Sequence, residues 1–138
     1  MPGYRLLNHT ADLGVLFYGP SPESLFVNAG LALSRLMMER PPRRGREKRR
    51  LKLEGEDRAE LLVRFLSELL YLFHVQGQVL TAAAVDRLTA KELEISLDLA
   101  GYDPESHGLK AEIKAVTYHD LEIKPTRTGW RARVVFDL

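Results

Sequence analysis

Glu92-Leu93-Glu94-Ile95-Ser96-Leu97-Asp98-Leu99 alternates a polar with an aliphatic side chain from end to end. Side chains two apart share one face of an extended chain, so this run reads as a β-strand with one buried and one wetted face. The apolar, alanine-rich segment before it, Gln78 to Leu88, should pair with it as a hairpin. Arg49 to Glu54 repeats the alternation, with Leu51 and Leu53 set among charged residues. Thr117 to Lys124 and Trp130 to Phe136 read as a further hairpin around Pro125 to Gly129. At the other end of the chain, Tyr4 to Asn8 and Leu13 to Tyr18 form two short strands separated by the polar His9-Thr10-Ala11-Asp12, and Gly19-Pro20 stops the second.

Two segments change period. Ser21 is a good N-cap, Pro22 suits the first helical position and Glu23 favours the positive end of the dipole; Leu25, Phe26, Ala29, Ala32, Leu33, Leu36 and Met37 then recur at helical spacing. That helix should end before Pro41-Pro42. Asp57 with Glu60 three residues on makes a capping-box pattern, and Gly77 supplies the stop for a second helix carrying a broad stripe of Leu61, Leu62, Phe65, Leu66, Leu69, Leu70 and Phe73. Gly101 to Lys110 reads as a loop. Strands joined by short turns, with two helices inserted early, predict a single α+β domain over residues 1–138, its two helices packed on one face of a mainly antiparallel or mixed sheet. A doubly wound fold would need regular strand-helix alternation.

Composition narrows the chemistry. With 138 residues the chain supports one core, and the lack of cysteine removes disulfides, thiolate zinc sites and thiol nucleophiles. Neither a secretory leader nor a bilayer-length apolar span is present, so a soluble cytoplasmic protein with no membrane partner is expected. There is no Gly-x-Ser-x-Gly elbow, Gly-x-Gly-x-x-Gly turn or Walker-type loop, which speaks against serine catalysis and against GTP binding by this chain itself. The net charge of +1 gives no overall drive toward nucleic acid, yet Arg43, Arg44, Arg46, Lys48, Arg49 and Arg50 are crowded together. Arg43, Arg44, Arg46 and Arg49 form a candidate electrostatic patch toward RNA, although no aromatic residues are interleaved to stack bases and a solvated loop is the simpler account of the run.

In the last strand Trp130, Ala132, Val134 and Phe136 share one face, which puts Arg131, Arg133, Val135 and Asp137 on the other. Asp137 lies beside Leu138 and its terminal carboxylate, and negative oxygens so close call for a cation or a donor. Asp12 would complete an oxygen-rich pocket of the kind Ca²⁺ and Mg²⁺ prefer. On spacing alone the simpler reading is that Asp12 caps a turn and Asp137 is a solvated end residue.

His9-Thr10-Ala11-Asp12-Leu13-Gly14, Ser67-Glu68-Leu69-Leu70-Tyr71, Glu112-Ile113-Lys114-Ala115-Val116-Thr117-Tyr118-His119 and the late Asp137 are spread over nearly the whole chain, and together they resemble the archease family. The resemblance implies an accessory protein of the RtcB-type RNA ligase of tRNA splicing, promoting guanylylation of the ligase and its multiple turnover. GTP would be bound by that partner and RNA met indirectly through it. It also implies that Asp12, Asp137 and Leu138 bind a divalent metal ion and that Glu68 is functional. His9, His107 and Lys114 are further candidates for ligase activation, while His9 also fits a structural role bonded to backbone. His119 falls in the same pattern, and Lys110 is a lesser contributor. In Gly101-Tyr102-Asp103-Pro104-Glu105-Ser106 the chain departs from the family's more acidic stretch, which leaves the part played by this loop open. Two other functions compete: a small metal-dependent phosphoesterase using the same carboxylates, and an RNA-binding or chaperone-like module using Arg43 to Arg50.

Overall fold

The computed structural model describes residues 3–7 and 12–138. In chain order these form β1 (Tyr4–Leu7), β2 (Asp12–Gly19), α1 (Pro22–Met37), β3 (Glu47–Glu54), α2 (Arg58–Gln76), β4 (Gln78–Leu88), β5 (Glu92–Gly101), α3 (Pro104–His107), β6 (Ala115–Thr126) and β7 (Gly129–Asp137). The α+β class stands, and every strand pair among the described residues is antiparallel.

The strands divide between two sheets, one in the order β1-β2-β7-β6 and one in the order β3-β5-β4. The reason lies in the helices. On α2, Leu61, Leu62, Val63, Phe65, Leu66, Leu69, Leu70 and Leu72 are all buried, which at 3.6 residues per turn covers roughly 200° of the helix circumference. One sheet face cannot cover so wide an arc. α1 accordingly packs on β2 of the first sheet and β4 of the second, and α2 on β6 of the first and β4 of the second. One continuous core results, with Phe17, Phe26, Phe65, Phe136, Leu93 and Ile95 all shielded from solvent.

The local signals explain the element ends. Ser21 is extended and its hydroxyl accepts from the Ser24 amide at 3.1 Å, opening α1. Asp57 accepts from the Glu60 amide at 2.8 Å, while Glu60 reaches back to the amide of Glu56 at 2.9 Å, one residue earlier than a standard capping box. Gly77 closes α2 in the left-handed region, φ 63° and ψ 31°, where a side chain would be strained. The Gly101 to Lys110 segment differs from the expected loop: Asp103 accepts from the Glu105 amide, Pro104 occupies the first turn, and a single helical turn follows. It is the same cap-then-proline signal that opens α1, too short to stand out as periodicity. On β7 the face carrying Asp137 is less wetted than alternation suggested, since Val135 is buried together with Val134 and Phe136.

Candidate functional site

β2 and β7 pair so that Asp12 stands directly opposite Asp137, and on the far side of β7 Asp137 stands opposite Ala115 of β6. Directly opposite residues on antiparallel strands hold their Cβ atoms about 4.5–5.5 Å apart on one face, and like charges so placed repel. The register itself is fixed by the core face of the same strands, where Leu13 pairs with Phe136 and Val15 with Val134; a slip of one residue would turn these apolar side chains out. Two carboxylates from opposite ends of the chain are thereby fixed side by side at the end of the two central strands, on the edge of the sheet where those strands terminate.

The main-chain oxygen of Asp137 accepts from the Lys114 amide at 2.8 Å, which brings Lys114 to the same edge. Lys114 is exposed. Its side chain lines a depression of about 310 Å³ with Ser67, Tyr71, His74, Val75 and Val116. Glu68, half-buried on α2, lines the next depression, about 320 Å³, with Ser67, Val116 and Tyr118. Ser67 and Val116 belong to both, so Glu68 and Lys114 share one surface running along α2 and β6. Tyr71, Val75 and Tyr118 expose 49%, 63% and 59% of their surface on it, a concentration of uncovered apolar side chains. Tyr71 and Tyr118 belong to the segments that carry the family resemblance, and Val75 lies just beyond one of them. Their signal was present: Tyr71 and Val75 are one helical turn apart, outside the buried stripe of α2.

His107 stands elsewhere, in α3, where its Nδ1 accepts from the Asp103 amide at 2.9 Å. A relay of ring contacts, His107 to Tyr102 to Phe73 to His74, links it back toward α2. His74 ends that relay with its Nε2 at 2.8 Å from the Ile113 oxygen, one residue before Lys114. His119 is exposed beside Asp120, 3.3 Å away. His9 lies outside the described residues.

Asp103 is held below the ordinary carboxylate value chiefly by the Ser106 hydroxyl and the Glu105 amide. At Glu122 on β6, partial burial favours the neutral acid, but the charge of Lys124, a bond from Arg131 and the charges of Arg133 and Arg131 outweigh it and lower the pKa. Neither acid adjoins the carboxylate pair.

The arginine run is split by the fold. Arg43, Arg44 and Arg46 are exposed in the connection after α1. Arg49 already belongs to β3 and is committed to Gln76, at 2.8 Å, and to Glu47.

Among the described residues no three His, Cys, Asp or Glu side chains converge to hold a metal ion. A cation at Asp12 and Asp137 would therefore draw its other ligands from main-chain oxygens and water. Hard cations such as Ca²⁺ and Mg²⁺ accept such a set, and a thiophilic or imidazole-seeking metal does not. The all-oxygen donor pair fits the former class.

The profile of the archease protein family matches residues 4–138. The chain belongs to the archease family. The archease of Methanosarcina mazei is 41% identical, over 98% of this chain and 95% of its own, and that of Pyrococcus abyssi is 36% identical with both chains fully covered. The solution structure of a Methanobacterium thermoautotrophicum protein superposes over the full length of both chains with a TM-score of 0.77 at 31% identity. A Thermotoga maritima archease, described as a possible chaperone, gives a TM-score of 0.64 at 20% identity over 96% of this chain and 94% of its own, a likeness of fold. Among the described residues of this archease no helix is long and apolar enough to cross a membrane.

Proposed function

We propose that this archease is a non-enzymatic accessory protein of an RtcB-type RNA ligase, promoting the ligase's GTP-dependent guanylylation and repeated turnover in tRNA splicing in the cytoplasm. The observation that carries the reading is the opposition of Asp12 and Asp137 across β2 and β7, joined to the family membership. Asp12, Asp137 and an oxygen of Leu138 would hold a Ca²⁺ or Mg²⁺ ion, which supplies positive charge where phosphate groups are gathered. Glu68 and Lys114, on the surface beside that edge, would meet the ligase, and the uncovered Tyr71, Val75 and Tyr118 give that surface the aromatic and aliphatic contact typical of an interface core. GTP is bound by the ligase, and RNA reaches the site through it.

The test is a ligation assay with cognate ligase under excess RNA. The archease alone should neither join nor cleave RNA, while its addition should raise both guanylylation and turnover. Asp12→Ala and Asp137→Ala should abolish that stimulation with circular dichroism unchanged. Full stimulation by the folded aspartate variants refutes the acidic site; hydrolysis of RNA or nucleotide by the archease alone hands the case to a metal-dependent phosphoesterase.

A further inference from the structure

A further cavity lies away from the aspartate pair. It is an open cleft of about 790 Å³ at the C-terminal end of α1, and Tyr4, Arg35, Glu39, Arg40, Arg43 and Lys110 stand on its walls. Four cationic side chains face one carboxylate, and that carboxylate, Glu39, is taken by Arg40 at 3.3 Å. Among the described residues Arg35, Arg43 and Lys110 have no carboxylate within ion-pair reach. Like charges collected without counter-charges repel, so an anionic ligand is favoured there.

The walls are fixed by main chain. The Lys110 amide donates to Met37 O at 2.8 Å, the Glu39 amide to Gly108 O at 2.8 Å and the Arg40 amide to His107 O at 2.9 Å. Arg40 is further held by Ser106 O, 3.0 Å from its Nε. Beyond Arg43 the connection is pressed onto β5: a Cβ on Gly45 would stand 2.7 Å from the Leu99 nitrogen, and the Arg46 amide donates to Leu99 O at 2.8 Å. The cations are therefore presented from a backbone ordered before any ligand arrives.

We propose that this cleft binds the phosphodiester backbone of a single-stranded nucleic acid, with Arg35, Arg40, Arg43 and Lys110 contacting phosphates and Tyr4 offering a ring for a base to stack on. A nucleoside triphosphate gathers its charge at one point and is usually met by convergent main-chain amides or a helix N-terminus. This cleft has instead cations spread over separate segments. Spread cations with an aromatic beside them match a ligand that carries one charge per nucleotide. Direct contact with the strand goes beyond the function proposed above, in which RNA is met only through the ligase. Neither the metal nor the ligase is needed for it.

The experiment is fluorescence anisotropy of the full chain, without ligase, on a labelled oligouridylate of about a dozen nucleotides, a length within the usual span of such sites. At ~0.7 counterions released per contact, four phosphate contacts make affinity fall about 50-fold between 50 and 200 mM salt. Arg35→Ser/Lys110→Ser leaves two contacts, so the fall should shrink to about 7-fold and binding at low salt should weaken. Both residues are exposed, so the fold should survive; Arg43→Ser gives an independent single loss on the connection. Arg44→Ser/Arg46→Ser, outside the cleft walls, should keep the wild-type salt slope. Wild-type binding by Arg35→Ser/Lys110→Ser overturns the proposal, as does equal weakening by Arg44→Ser/Arg46→Ser, which would mark a diffuse charge effect. Displacement of the strand by an equimolar amount of GTP would overturn it in favour of a mononucleotide pocket. Failure of these arms leaves ligase stimulation untouched, and failure of stimulation leaves strand binding standing.

Discussion

Asp137→Asn should make the protein more stable without divalent metal and less stable with it. In the metal-free state Asp137 faces Asp12 across the β2–β7 pair, and removing one of two opposed charges relieves about 0.5 kcal/mol of repulsion. Unfolding a chain of 138 residues releases ~2.1 cal/mol/K per residue, or about 0.29 kcal/mol/K in total. The variant should therefore melt about 2 °C higher than wild type in chelator. A cation at a hundredfold its dissociation constant adds about 2.7 kcal/mol to the wild type. That corresponds to a rise of about 9 °C, most of which the variant should forgo because one of its two carboxylate ligands is now an amide. The melting curves of the two proteins thus exchange order between chelator and saturating Ca²⁺ or Mg²⁺, which differential scanning calorimetry measures directly. Equal metal-induced shifts in both proteins would refute the assignment of Asp137 as a ligand. A lower melting point of the variant in chelator would show that the carboxylate stabilises the sheet edge by itself.

Glu68→Ala, half-buried on α2 beside Tyr118, should retain the wild-type circular dichroism spectrum but lose ligase stimulation; retained stimulation would remove Glu68 from the contact surface. Gly30→Ala places a Cβ 2.9 Å from Leu80 Cδ2 and 3.0 Å from Phe65 Cζ, so the usual gain of alanine in a helix is outweighed by overpacking of about 1–3 kcal/mol, and a raised melting point would contradict the packing. Asp57→Ala removes the acceptor of the Glu60 amide and should cost about 1 kcal/mol in urea unfolding. Asp103, lowered from 3.8 chiefly by the Ser106 hydroxyl, contributes stability above its unfolded pKa that is lost as pH falls through the lower folded value. Its carboxyl resonance should titrate with a midpoint below 3.8, and a midpoint at or above that value would show the Ser106 bond to be without effect.

Where residues follow a local rule, the sequence foretold the structure closely. The alternation of Glu92 to Leu99 became the central strand of its sheet, and Asp57 and Gly77 bound the second helix as cap and stop. The division of the strands into two sheets was not legible, because alternation shows that a strand has a buried face and not which partner covers it. The wide apolar arc of α2 is the available clue, because a stripe facing a single sheet would be narrower. At the site, Asp12 and Asp137 were picked out by family pattern and by the face of the last strand, but their opposition depends on the pairing of β2 with β7, for which no short-range signal exists. Arg35 and Lys110 meet across a cleft for the same reason: Lys110 is delivered there by the bond of its amide to Met37, a contact between distant segments.

The position of β7 between β2 and β6 has a consequence for the order in which the molecule is made. Ribosomes extend chains at about 5–20 residues per second, so β2 leaves the tunnel roughly 5–20 s before the strand that will lie against it. During that interval the edge of β2 that β7 will cover has no partner, and Val15 and Phe17, buried in the finished protein, lack the Val134 and Ala132 they will face. Pairing across such a separation is also among the slower folding events, because the intervening loop must close before any contact rewards it. The nascent chain is therefore most open to chaperones and to unwanted strand addition at β2. The two aspartates come together only when the last strand docks, so whatever they bind can act only on chains whose β-sheet is already complete.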